Sequence, residues 1–387
     1  MKIKVTQQAA KKIRRGYPLL RNEDLATAAE TKEWVSFVDD KNNFLGQGYL
    51  GQQNKGAGWV ISRQPEPLDQ QFFKKVFSKA KELRHSFFIN PETTAFRLFN
   101  GEGDGLGGLT VDWYRGYGVF SWYNQSIYQH SQELIAAFQA VYPEMLGASE
   151  KIRFQSELPE SRWLFGEEPE EPLLIKENGI QFATYLNEGL MTGIFLDQRE
   201  VRNQLVEGFV SGQTVLNMFS YTGAFSVAAA MGGALETTSV DLAKRSREKT
   251  AEQFMVNQIP PESQKIIVMD TFEFFKYALR KKLTYDVIIL DPPSFARNKK
   301  KTFSVAKNYG DLISQSLAIL NPGGKIIAST NAANVNAVKF QGMIEDAFRE
   351  EQRSFQLKDK FSLPFDFHVA TEFPEGDYLK VLFYQVD

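Results

Sequence analysis

The stretch Thr214-Val215-Leu216-Asn217-Met218-Phe219-Ser220-Tyr221-Thr222-Gly223 decides how the chain is read. A short apolar run without polar alternation leads into a polar loop closed by one glycine. Such a run suits a strand covered on both faces, as in a parallel sheet. The pattern recurs at Thr238–Val240, Lys265–Met269, Val287–Leu290 and Lys325–Ala328, with helical spacing in between. Two later runs, Ser354–Phe361 and Tyr378–Tyr384, are joined without a helical pattern and read as an antiparallel pair at one edge. The expected fold class is α/β, a doubly wound Rossmann-like sheet with an antiparallel edge.

In such a sheet ligands bind beyond the carboxyl ends of the strands. Three successive runs there end in an aspartate: Asp241, Asp270 and Asp291, the last opening Asp291-Pro292-Pro293-Ser294-Phe295. Asp241 lies 18 residues beyond Gly223, the spacing of an acid that accepts from both ribose hydroxyls. The loop itself lacks the three glycines that let backbone approach a pyrophosphate. A nucleoside without phosphates fits better, and S-adenosylmethionine is the common one. Asp241 would then hold the ribose and Asp270 the adenine amine, with Thr271 and Phe272 beside the ring. A lone strand-end aspartate is about as often only a helix N-cap; three in succession favour the site. In the Asp-Pro-Pro turn two prolines remove backbone donors, leaving the Asp291 carboxylate and the Pro292 carbonyl as acceptors. Phe295 offers a face on which a flat base can stack.

Upstream the pattern differs. Residues 1–72 read as short strands between glycine-rich turns, closed by Arg63-Gln64-Pro65-Glu66-Pro67. Residues 73–172 read as α+β, with a helix over Gln70–Leu83, a five-glycine loop between Phe96 and Asp112, a second helix over Ser131–Tyr142, and an acidic connection from Glu167 to Pro172. The 387 residues carry 45 Lys+Arg against 47 Asp+Glu, a net charge of -2 that neither favours nor excludes a nucleic-acid partner. There is no cysteine, which excludes disulfides, thiolate metal sites and a cysteine nucleophile. With three histidines (His85, His130, His368) a histidine-rich metal site is not expected. His368 is the one that could face the cleft mouth. No segment has the apolar length of a signal peptide or a membrane span, so the expected place is the cytoplasm, away from membranes.

Several motifs together give the chain a wider likeness: Asn100-Gly101-Glu102-Gly103-Asp104-Gly105-Leu106, Thr192-Gly193-Ile194-Phe195-Leu196-Asp197-Gln198-Arg199, Val215 to Gly223, Asp291 to Phe295, and Gly376-Asp377-Tyr378-Leu379-Lys380. In this order the chain resembles the RlmI-type class I S-adenosylmethionine-dependent methyltransferases of 23S ribosomal RNA. The resemblance implies a PUA-like RNA-binding domain over 1–72, a central α+β domain over 73–172 and a methyltransferase domain over 173–387. It implies S-adenosyl-L-methionine as cofactor, held by Gln198, Asn217, Phe219, Ser220, Tyr221, Gly223, Asp241, Asp270, Thr271 and Asp291. Arg199 is a further candidate contact or an ion-pair partner. The implied partner is 23S rRNA or a large-subunit assembly intermediate, and a homodimer is an option. Lys11, Lys12, Arg14 and Arg15, and the loop Arg297, Lys299, Lys300 and Lys301 beside the Asp-Pro-Pro turn, become candidate phosphate contacts.

The chain departs from those relatives that methylate cytosine C5. That carbon is a poor nucleophile and is activated by a cysteine thiolate. Here the segment after the fifth run reads Ala328-Ser329-Thr330-Asn331, and no cysteine exists anywhere. Transfer to an atom that owns a lone pair is expected instead. Guanine N7 is favoured, with Asp291, Pro292, Phe295 and Asn331 as the catalytic group. An exocyclic amine is the nearest alternative. An inactive RNA-binding member, a nicotinamide oxidoreductase and a protein methylase are the readings from other classes.

Overall fold

The computed structural model describes residues 1–27, 31–297 and 302–387, the side chain of Arg297 excepted. Its contacts divide the chain into two units: Met1–Ile175 with Thr184–Thr192 and Phe365–Gly376, and Lys176–Ala183 with Gly193–Pro364 and Asp377–Asp387.

The second unit is built on a seven-stranded sheet. Its strands are β1 (Thr214–Met218), β2 (Glu236–Asp241), β3 (Lys265–Val268), β4 (Tyr285–Leu290), β5 (Leu320–Thr330), β6 (Phe355–Phe361) and β7 (Lys380–Val386). They lie in the order β3-β2-β1-β4-β5-β7-β6. The first five are parallel, and β7 runs antiparallel to both neighbours. The register places Leu216 beside Ile288 and Met218 beside Leu290. These residues face one side of the sheet, packed with Phe274, Phe275, Tyr309, Ile313, Phe340 and Phe348 from three helices. Val215, Val287 and Ile289 occupy the alternate positions and are equally buried. Two covered faces explain why these strands show no alternation in sequence. The order reverses between β1 and β4, and that is where a crevice opens at the strand ends.

The first unit holds two five-stranded sheets. The first uses Lys2–Lys4, Leu19–Arg21, Val35–Val38, Phe44–Gln53 and Gly56–Ser62. It also carries a helix, Gln7–Arg14, where the sequence had suggested only strands. That helix buries only Ala9, Ala10 and Ile13, so its apolar stripe is too narrow to stand out; Thr6 caps it, accepting the Ala9 N–H at 3.2 Å. The second sheet runs through Ala95–Asn100, Leu109–Tyr114, Tyr117–Trp122, Gly147–Ile152 and Ser161–Gly166. Helix Gln70–Leu83 packs on it through Phe73 and Phe77, and Ser131–Val141 makes the crossover between its two parallel strands.

A core substitution tests the two-faced burial of β4. Ile288→Ala removes a side chain with no solvent exposure and should cost about 2–5 kcal/mol. Lys358→Ala on the exposed edge strand β6 should stay within about 0.5 kcal/mol. Urea titrations of both variants read the difference.

Candidate active site

Beyond the carboxyl ends of β1, β2 and β4 lies a cleft of about 600 Å³. The loop after β1 is folded by backbone conformations that side chains resist: Phe219 and Tyr221 have φ of 60° and 53°, and Gly223 has 80°. Non-glycine residues held there cost about 1 kcal/mol or more each, so the surroundings must fix them. Ser220 N–H donates to the Val240 carbonyl at 3.0 Å and Tyr221 N–H to Asp241 Oδ2 at 2.9 Å. Thr222 Oγ1 donates to the Gly193 carbonyl at 2.6 Å, and Gly193 N–H returns a bond to the Tyr221 hydroxyl at 3.2 Å. At Gly223 an added Cβ would stand 2.5 Å from Thr250 Cγ2, so only glycine fits.

The three strand-end aspartates do different things. Asp241 accepts from Tyr221 N–H with one oxygen and from Ala243 N–H, at 2.9 Å, with the other. A carboxylate has about four acceptor positions, so capacity for two more donors is left on a residue that lines the cleft. Asp270 caps helix Thr271–Lys281, its Oδ1 accepting from Phe272 and Glu273 N–H at 3.0 and 3.2 Å. It therefore has the ordinary role of a strand-end aspartate, and it also lines the cleft together with Thr271 and Phe272.

Asp291 carries a perturbed carboxyl. Burial pushes it from 3.8 up to about 6, against hydrogen bonds from Ser329 and Gln198; the Asp197 charge adds to the rise and Arg202 opposes it. Gln198 Nε2 also donates to Ser329 Oγ at 2.8 Å, while its Oε1 is buried without a hydrogen-bond partner among the described residues. Asp197 accepts from the Tyr378 hydroxyl at 2.9 Å. Arg202 is locked by Glu177 at 2.6 and 2.8 Å and donates to the Phe195 carbonyl at 2.7 Å, which fixes the segment leading to Gln198. Tyr309 donates to the Leu290 and Ser329 carbonyls, at 3.2 and 2.9 Å, bracing the ends of β4 and β5. Asn331 accepts from Ser294 Oγ at 2.8 Å, which ties it to the Asp-Pro-Pro turn; among the described residues its amide N–H groups have no hydrogen-bond partner. Phe295 is 62% exposed at the cleft.

Of the residues expected from sequence, Gln198, Phe219, Ser220, Tyr221, Asp241, Asp270, Thr271, Asp291, Pro292, Phe295 and Asn331 all line this one cleft. Two do not. Asn217 is turned behind the loop, donating to Ser226 Oγ at 3.0 Å, and Gly223 starts helix Ala224–Met231. Arg199 is buried and paired with Glu200 at 3.2 Å instead of lining the cleft. His368 stands in the first unit, its Nδ1 on the Gly103 carbonyl at 2.8 Å, and not at the cleft mouth. Asp197 and Arg202, both in the wall, were missed: nothing in their spacing separates them from ordinary helix-start charges. Among the N-terminal cations, Lys12 pairs with Asp24 at 3.2 Å and Arg14 with Asp39 at 2.8 Å, whereas Lys11 and Arg15 are exposed. The side chain of Arg297 and all of Lys299, Lys300 and Lys301 lie outside the described residues.

A parallel sheet ending in an antiparallel hairpin-like pair, with a nucleoside-sized cleft at the strand reversal, defines a methyltransferase-type architecture. Comparison with known proteins agrees. Residues 96–383 match the model of an S-adenosylmethionine-dependent methyltransferase family, and residues 3–63 match a PUA-like domain. YwbD of Bacillus subtilis, whose name assigns it provisionally to the ribosomal RNA large subunit methyltransferases, is 48% identical over 394 residues and covers 100% of both chains. Ribosomal RNA large subunit methyltransferase I of Aliivibrio fischeri is 28% identical over 358 residues, covering 91% of this chain and 90% of its own. The crystal structure of SMU.776, provisionally a methyltransferase and complexed with SAH, superposes with a TM-score of 0.95 at 49% identity, over 100% of each chain. The chain belongs to the S-adenosylmethionine-dependent methyltransferase family, and S-adenosylmethionine is its cofactor. The cleft fits that group: Asp241 keeps acceptor capacity, Gln198 Oε1 is a buried acceptor awaiting a donor, and Phe219, Phe272 and Phe303 make an apolar wall.

The Asp291 carboxyl gives a signed prediction. Its pKa is higher in the folded protein than in the unfolded chain, so the fold binds this proton more tightly. Stability is then lost as pH rises from 3.8 through about 6, by up to about 3 kcal/mol. Asp291→Asn should raise the melting temperature of the cofactor-free protein at pH 7.5 and leave it unchanged near pH 4. Melting curves of both proteins at the two pH values check this.

Proposed function

We propose that the chain transfers a methyl group from S-adenosylmethionine to a ring nitrogen of a base in large-subunit (23S) ribosomal RNA, with guanine N7 as acceptor. The names of the relatives support the RNA class. The observation that carries the acceptor is the chemistry of the wall: a chain with no cysteine, and hydroxyls already engaged where a nucleophile would stand. Ser329 is fully buried and bonded to Gln198. Thr330 is fully buried and accepts the Ala332 N–H at 3.1 Å. Neither is among the residues that line the cleft, which supports transfer without covalent activation of C5.

Bound in the cleft, S-adenosylmethionine supplies an electrophilic methyl group on a positively charged sulfur. Asp241 accepts from the ribose hydroxyls, and Asp270, Thr271 and Phe272 border the adenine. Asp291 places negative charge beside the sulfonium. On the acceptor side Phe295 stacks on the base, and Asn331, its oxygen already held by Ser294, donates from its amide to guanine O6. That leaves N7 facing the methyl group. N7 owns a lone pair in the neutral base, so the protein's contribution is alignment and electrostatics without a general base. The exposed Lys11 and Arg15 lie where phosphates can be met on the PUA-like domain.

Nucleoside mass spectrometry of 23S rRNA from a deletion strain and its parent tests the acceptor. Loss of 7-methylguanosine is expected; loss of an N2- or N6-methylated nucleoside would shift the acceptor to an exocyclic amine, and loss of 5-methylcytidine would overturn the argument from cysteine. Asn331→Ala should raise KM for RNA about tenfold, the scale of one lost base contact, with S-adenosylmethionine affinity unchanged. Calorimetry gives a second check. An arriving cation favours the ionised Asp291, so S-adenosylmethionine should bind more weakly as pH falls below about 6. S-adenosylhomocysteine, uncharged at sulfur, should respond less, and Asp291→Asn should remove the difference.

A further inference from the structure

Among the described residues, the charged groups lining the cofactor cleft are four aspartates and one arginine: Asp197, Asp241, Asp270, Asp291 and Arg202. Asp241 is matched to the ribose, Asp270 borders the adenine and Asp291 stands beside the sulfonium. Asp197 is the fourth. S-adenosylmethionine carries a second cation, the α-ammonium of its methionine end, which none of the other three answers. We infer that Asp197 receives this ammonium, and that Tyr378 is a positioning residue that aims it there.

Asp197 sits in the short turn Leu196–Gln198, half-buried in the cleft wall between two buried neighbours. A carboxylate held partly out of water attracts a cation more strongly than one on the open surface. Asp291 lies close enough for the Asp197 charge to act on it, so the two anions reinforce one another at this end of the cleft. Arg202, the cation beside them, is committed to Glu177 at 2.6 and 2.8 Å. Gln198 adds a polar atom of the same sign. It is 4% exposed, its Nε2 donates to Ser329 Oγ at 2.8 Å, and its Oε1 has no hydrogen-bond partner among the described residues. A buried acceptor in this state costs free energy that a nearby cation relieves. The sulfonium charge is gone once the methyl group has left, whereas the ammonium is present on substrate and product alike.

Tyr378 belongs to the motif Gly376-Asp377-Tyr378-Leu379-Lys380, just ahead of β7. The next two residues anchor it: Leu379 is buried, and Lys380 Nζ donates to the Ala332 and Val335 carbonyls at 2.9 Å each. From this fixed point the Tyr378 hydroxyl donates to Asp197 Oδ2 at 2.9 Å, while Tyr378 itself does not line the cleft. A neutral donor orients the carboxylate without cancelling its charge. An arginine or lysine in the same place would form an ion pair and compete with the ligand.

This assignment depends on the cofactor alone and not on the base that receives the methyl group. The test titrates the full-length protein by calorimetry with three ligands. They are S-adenosylhomocysteine, its analogue lacking the α-amine, and methylthioadenosine, which lacks the whole amino-acid end. Wild type should bind S-adenosylhomocysteine about tenfold tighter than the deaminated analogue, the scale of one charged hydrogen bond. Asp197→Asn should abolish that preference and bind methylthioadenosine as wild type does. Tyr378→Phe should reduce the preference, again with methylthioadenosine unaffected. Added to Asp197→Asn it should change nothing further, because a residue that acts through Asp197 then has nothing to act on. Equal binding of S-adenosylhomocysteine and its deaminated analogue by wild type, a comparison that needs no variant, overturns the proposal. A preference that survives Asp197→Asn does the same. A Tyr378→Phe protein that loses methylthioadenosine as well, or whose effect adds to that of Asp197→Asn, overturns the positioning role. Methyl transfer is not read in these titrations, so failure of the N7 assignment would show separately.

Discussion

One hydrogen bond organises the cofactor cleft: the Tyr221 N–H to Asp241 Oδ2, at 2.9 Å. It ties the loop after the first strand to the end of the second. It holds Tyr221 in a left-handed conformation that the residue would not adopt alone, and it orients the Asp241 carboxylate with half its acceptor positions still turned to the cleft. The Tyr221 hydroxyl reaches in the other direction to Gly193, at the start of the segment that carries Gln198. Three pieces of chain distant in sequence are thus set by one residue's main chain and side chain. Strain spread over Phe219 and Tyr221 is tolerated because the surrounding bonds over-determine the loop.

Much of this was legible from sequence because burial on both faces leaves a clear mark. Apolar runs of three to five residues, each leading into a polar loop or an aspartate, mark the strands and the edge of the sheet where the cleft lies. Eleven of the expected site residues line that cleft for this reason. Asn217 was misplaced because position in a motif does not say which way a side chain turns; here Ser226 offers it a partner on the buried side. Helix Gln7–Arg14 was missed because two alanines and an isoleucine make too faint a stripe. Arg202 was invisible because its importance comes from Glu177, a partner 25 residues earlier that no local pattern links to it. His368 went astray because the chain between β6 and β7 leaves the sheet and joins the other unit.

The cleft also stores electrostatic free energy. Asp291 is kept where its charge is poorly solvated and where Asp197 opposes its ionisation. A site of this kind is costly when empty and is relieved by a cation. In the proposed function the positive charge leaves the sulfur during methyl transfer, so the same arrangement would favour departure of the neutral product over its retention. Catalytic sites commonly give up fold stability in this manner.

The strand order carries a consequence for how the protein is made. β7 lies between β5 and β6, with its antiparallel pairing to both. During synthesis β6 emerges before its sheet neighbour β7 exists, so it must wait as an unpaired segment while β5 keeps an open, apolar edge. Unpaired strand edges of this kind invite association with other chains. The growing polypeptide is therefore most vulnerable to aggregation late, when nearly the whole sheet has formed, and loss of β7 alone would cost it two strands.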